Sequence, residues 1–87
     1  MTLVEQLQQL PQYQCHKIVK ASKIVEMEMK STGGALVQLE DLEEPVMLMA
    51  DFVLRFKPAT GNYIVVYEDG YVSVSPAHAI ASGYTRI

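Results

Sequence analysis

The chain has 87 residues, of which 49% are hydrophobic and 20% charged, with seven Lys/Arg against ten Asp/Glu for a net charge of −3. This length and balance suit one globular domain over residues 1–87, favour a packed core over disorder, and exclude a multidomain enzyme and a collagen-like chain. One cysteine, Cys15, excludes a disulfide scaffold and fits a reducing compartment.

Thr2-Leu3-Val4-Glu5 has capping-box spacing. Leu3, Leu7 and Leu10 follow at i, i+4 and i+7, so a short helix is predicted over residues 2–10, ended by Pro11. From Tyr13 the period changes to two. Val19, Ala21, Val25, Met27 and Met29 alternate with Lys20, Ser22, Glu26, Glu28 and Lys30, which predicts a long, half-buried strand. Lys23 falls on the apolar parity and Ile18 and Ile24 on the other, so a bulge is expected near residues 22–24.

Ser31-Thr32-Gly33-Gly34 reads as a turn, and Ala35, Val37 and Leu39 as a return strand. An acidic loop with Glu40, Asp41, Glu43 and Glu44 ends at Pro45, and Val46 to Ala50 reads as a buried strand. Asp51 is expected to cap one helical turn carrying Phe52, Val53 and Phe56, stopped by Pro58. Thr60-Gly61-Asn62 makes the next turn.

Asp69-Gly70 between two β-rich runs predicts a hairpin closed by a two-residue type I′ turn. That register pairs Glu68 with Tyr71, Tyr67 with Val72 and Val65 with Val74. It puts Tyr63, Val65, Tyr67, Val72 and Val74 on a core face. Ile64, Val66, Glu68, Tyr71, Ser73 and Ser75 then form a mixed outer face. Ser75-Pro76 starts a helix over residues 77–82, Gly83 is expected as its left-handed cap with Tyr84 folding back, and Arg86-Ile87 suits an edge strand. The fold class expected is α+β: an antiparallel sheet of about four or five strands, a short N-terminal helix and a short helix after the C-terminal hairpin.

Catalytic constellations are not found. Cys15 and His16 are neighbours, and on a strand they point to opposite faces. The acids of residues 40–44 sit in a polar loop with nothing apolar to raise a pKa. His16 and His78 are too far apart for a metal motif, and Gly33-Gly34 lacks the phosphate-loop context. No catalytic residue, metal or cofactor is expected, and the chain is read as not an enzyme. No apolar run reaches the ~20 residues of a membrane span, and the N-terminus lacks a signal-peptide pattern, so an intracellular soluble protein is expected.

Binding residues are the better candidates. Tyr63, Tyr67, Tyr71 and Tyr84 gather on the hairpin and the following helix, where tyrosines can stack on bases or serve as interface anchors. Ordinary cross-strand packing explains the same pattern. Lys17, Lys20, Lys23 and Arg86 are the matching cations, with Arg55 and Lys57 as further cationic candidates. Lys20 should point outward, while Lys17 and Lys23 belong at strand ends, at a bulge or against a neighbouring subunit. The net negative charge argues against double-stranded nucleic acid.

The stretch from Lys57-Pro58 through Gly61-Asn62-Tyr63 and Glu68-Asp69-Gly70-Tyr71 to Ser75-Pro76 and Gly83-Tyr84 resembles the C-terminal unit of small accessory proteins of tailed phages and prophages. Tyr13 to Lys17, with Ala21 and Lys23-Ile24, is similar to the first strand of some members. The likeness covers residues 13–30 and 52–87 and departs at Asn62, where Asp is usual, and at His78-Ala79-Ile80. The group brings no activity with it. The resemblance implies a phage accessory protein acting in the cytoplasm of a bacterial host. Three roles follow as expectations. The first is a non-catalytic protein that binds a host bacterial protein and antagonises host defence. The second is a homo-oligomer whose converging Lys and Tyr side chains sequester a nucleotide-type ligand. The third is a minor structural protein of the virion.

Overall fold

The computed structural model describes residues 2–14, 18–83 and 85–86. Helix α1 (Leu3–Leu7) carries the predicted capping box: Thr2 Oγ1 accepts the Glu5 N–H at 3.2 Å, and Glu5 Oε1 accepts the Thr2 N–H at 3.2 Å. It is shorter than predicted. Gln9 and Leu10 donate to Gln6 and Leu7, three residues back, so the chain tightens into turns before Pro11. Leu7 and Leu10 are buried, supplying the partner surface that so short a helix needs.

Strand β1 (Gln12–Gln14) leads to β2 (Ile18–Met29), the twelve-residue spine of the sheet. β3 (Ala35–Leu39) and β4 (Val46–Leu48) follow as a meander, and helix α2 (Ala50–Phe56) connects to the hairpin β5 (Tyr63–Val66) and β6 (Val72–Ser75). Helix α3 (Ala77–Gly83) and β7 (Thr85–Arg86) end the chain. The class is α+β, as expected. Among the described residues five strands form the expected antiparallel sheet, and β1 and β7 add a short antiparallel pair at one margin.

β2 is gripped from both sides. Its residues 20–23 pair with β5, residues 18–20 with β1, and the part from Ile24 onward with β3. After β2–β3–β4 and α2, β5 returns to pair with β2 and β6 lies outside it, so these strands form one antiparallel sheet. The described residues show no ladder between β4 and β6.

The bulge lies slightly beyond its expected place. The register steps from Ile24↔Leu39 to Glu26↔Gln38, leaving Val25 as the extra residue. Ile24 and Met27 can therefore both face the main core, which also holds Leu7, Leu39, Leu48, Ile64 and Val66. Val19, Ala21, Val65 and Ile80 form a second, smaller core on the opposite face of the sheet.

The hairpin corrects the predicted register. Val66 pairs with Val72 and Val65 with Ser73, so the loop is Glu68-Asp69-Gly70. Tyr67 donates to Tyr71 O, and Gly70 donates back to Tyr67 O. Only Gly70 has positive φ, at 88°, whereas a type I′ turn needs it at two residues. The slip of one residue exchanges faces. Ile64, Val66, Val72 and Val74 line the main core, while Tyr63, Val65 and Tyr67 turn to the smaller one.

Two helix ends also differ from expectation. α2 is preceded by Met49 as N-cap with no side-chain cap bond, and Asp51 sits inside the first turn. Gly83 belongs to α3 and has no positive φ, so it is not a left-handed cap.

Candidate functional site

The residues singled out from sequence separate into three places. Lys17 and Tyr84 lie outside the described residues, as does the Cys15–His16 pair.

The first place is a cleft of about 280 Å³ where α1, β1, β2 and the hairpin meet, with Lys20, Tyr67, Gln8, Gln12 and Glu68 among its lining. Lys20 was expected to point outward into solvent. Its ammonium is instead held by Gln8, donating to the backbone oxygen at 2.9 Å and to Oε1 at 2.8 Å. Glu68 adds a negative charge beside it, so the cleft offers an anion one engaged cation and one repelling carboxylate.

The second place is the exposed margin of the smaller core. Tyr13 meets Tyr63 edge to face, with ring centroids 6.3 Å apart. Lys23 is the cross-strand partner of Tyr63 and is half-buried on the same face. Arg86, paired with Tyr13 across β1–β7, reaches Asp41 at 3.8 Å. Asp41 is tied further in: Ser22 Oγ donates to its Oδ2 at 2.7 Å and accepts its N–H at 3.1 Å. Burial pushes the Tyr13 phenol above its ordinary 10.0; Tyr63 and Asp41 push the same way, and Arg86 opposes them. Asp41 is therefore a structural tie rather than a free member of a solvated loop.

The third place is an aromatic strip between α2 and the hairpin turn. Phe52 and Phe56, four residues apart on one helix face, stand 4.7 Å apart. Phe56 meets Tyr71 at 6.4 Å and Tyr71 meets Tyr67 at 6.0 Å. Arg55 closes the strip, its guanidinium carbon 5.1 Å from the Phe56 ring centre and its Nη2 donating to the Tyr71 hydroxyl at 3.4 Å. Leu54, beside it, is 77% exposed and Tyr71 is 45% exposed. Sequence reasoning named Tyr67 and Tyr71 but not Leu54, Arg55 and Phe56 as partners. The i, i+4 spacing of Phe52 and Phe56, with Leu54 and Arg55 off that face, was the available signal.

The tyrosines thus do not form one platform. Tyr63 and Tyr67 pack on the smaller core, Tyr71 belongs to the strip, and Tyr67 touches both. Among the described residues, no group of three or more His, Cys, Asp or Glu side chains is placed to hold a metal ion, and no helix is long and apolar enough to cross a membrane.

A solved structure with this architecture is the monomeric form of the phage L decoration protein in solution. The TM-score is 0.71 at 23% sequence identity, over 87% of this chain and 58% of that one. The two share a fold. The present chain spans little more than half the length of the phage L protein. No protein-family model matches the chain, and no curated protein matches it.

Proposed function

We propose that this chain is a non-catalytic, phage-encoded binding module that attaches to a protein surface of the phage particle. The observation that carries this reading is the fold shared with the phage L decoration protein. The sequence resemblance to small tailed-phage proteins points the same way. The Leu54–Arg55–Phe56–Tyr71 strip supplies the contact: aromatic residues and arginine are the usual energetic anchors of protein interfaces. The ring contacts hold Tyr71 and Phe56 against each other before binding, which limits the entropy lost on association. Self-association of the chain on that surface belongs to the same reading, with the bacterial cytoplasm as the compartment where particle and protein meet. Ligand sequestration is less well served, because Lys20, which shares a cleft with Tyr67, is already engaged by Gln8 and has Glu68 in the same cleft.

The test is co-sedimentation with heads purified from the phage or prophage that encodes the chain. The wild type should pellet with the particles at saturable stoichiometry. Leu54→Asp and Arg55→Glu should each weaken attachment by about tenfold or more without loss of folded structure by circular dichroism. Wild-type protein left wholly in the supernatant would overturn the particle reading. A single host protein, such as a defence component, captured in its place would make the host the target.

A further inference from the structure

Each backbone N–H and C=O of a strand needs a partner or water. Bonding alternates along an antiparallel pair, so two bonds settle where the groups of the C-terminal hairpin point. Tyr67 donates to Tyr71 O at its closed end, and Ile24 donates to Asn62 O just before β5. With the registers of both ladders, these bonds turn the main-chain groups of Tyr63 and Val65 toward β6 and those of Ile64 and Val66 toward β2. Ser73 and Ser75 therefore bond to β5, while the N–H and C=O of Val72 and of Val74 point away from it. Those four groups have no hydrogen-bond partner among the described residues, where β6 pairs with β5 alone, and Val72–Ser75 are all partly exposed. By the same alternation β4, at another margin, leaves only Met47 so placed, and Glu43, Glu44 and Pro45 stand before it. Open edges are ordinarily protected by charge or proline. Residues 71–75, Tyr-Val-Ser-Val-Ser, contain neither.

We propose that β6 pairs edge to edge with β6 of a second copy of this chain, antiparallel about a twofold axis at Ser73. In that register Val72 faces the partner's Val74, and all four open groups of each chain are bonded. A shift of the axis by one residue either way sends one valine against Gly70 or against Pro76, which has no N–H to give. The axis sets the two Ser73 side chains against each other at a non-hydrogen-bonded site, where side chains stand closest and hydroxyls can bond. A second copy is admitted electrostatically, because residues 71–75 bring no like charges face to face. The contact is isologous and closes at two chains. Two four-residue strands make less than a standard stable interface, so the dissociation constant should be on the order of 100 μM. The pairing uses main-chain groups of β6 rather than the side chains of the Leu54–Tyr71 strip, so it does not rest on the particle-binding reading.

Sedimentation equilibrium of the full chain from about 10 μM to about 1 mM, a range that spans this constant, should show a monomer–dimer equilibrium. Ser73→Lys and Ser73→Asp, each still folded by circular dichroism, should each weaken dimerisation by about tenfold or more, and an equimolar mixture of the two should restore it. In a Cys15→Ser background, oxidised glutathione should cross-link Ser73→Cys at least about fivefold faster than Ser75→Cys, which faces Tyr71 in this register. A wild type that stays monomeric throughout the range would overturn the proposal. So would a Lys/Asp mixture that associates no better than either variant alone, or equal cross-linking of the two cysteines. Dimerisation lost in Leu54→Asp but kept in Ser73→Lys would move the contact to the aromatic strip and overturn it too.

Discussion

Ser22 carries more of the fold than its size suggests. It is fully buried, the one such polar residue among the described residues, and its hydroxyl both donates to and accepts from Asp41. Removing it leaves a carboxylate oxygen and a backbone N–H without their partner. Ser22→Ala should therefore cost about 1–3 kcal/mol, read as a lower midpoint in urea denaturation. Tyr13 offers a pH-dependent counterpart. Its phenol titrates above the ordinary value in the folded chain, so the folded state holds that proton more tightly than the unfolded one. The resulting stability is fully present below pH 10.0, the unfolded value, and is lost as pH rises through the folded one. Urea midpoints measured from about pH 9 to pH 12 should fall for the wild type, and Tyr13→Phe should flatten that alkaline limb. A slope unchanged in the variant would assign the alkaline loss to another group.

At the scale of elements, turns and helix ends decide what strands and helices present. Lys57 ends α2 in the left-handed region, at φ 48° and ψ 58°, while its N–H donates to Val53 O at 2.8 Å. A β-carbon is strained there, and glycine is not. Lys57→Gly should stabilise the protein by about 0.5–1 kcal/mol, after allowing for glycine's greater freedom in the unfolded chain. Thermal unfolding should then move up by about 2–8 °C. The hairpin shows the same sensitivity in its register. Asp69-Gly70 correctly marked where the chain reverses, but one extra loop residue sent Ile64 and Val66 inward and left Tyr71 on the surface beside Phe56. Gly34 is fixed differently. A β-carbon there would stand 2.7 Å from Leu48 O, so the turn can approach β4 only because that position has no side chain.

Across the whole molecule, β2 is the shared wall of two cores. Ile24 faces one, Val19 and Ala21 the other. That explains why its pattern is only partly periodic: a strand buried on both faces has less reason to alternate, and the bulge at Val25 changes which parity meets the main core. Charge is uneven along the chain as well: seven of the ten Asp/Glu fall within residues 24–51, and six of the seven Lys/Arg fall outside them. The α+β class, the capping box, the long strand, the turns and the helix after Ser75-Pro76 were legible because each depends on neighbours within a few residues. Hairpin register, the tie between Ser22 and Asp41, the engagement of Lys20 by Gln8 and the pairing of Arg55 with Tyr71 were not. Those contacts join positions 12 to 19 residues apart or depend on one residue of loop length. Local sequence determines where a chain extends, coils and reverses through backbone sterics and side-chain periodicity. Which faces are buried, and which aromatic and charged groups meet at the surface, is decided only when the strands close on one another.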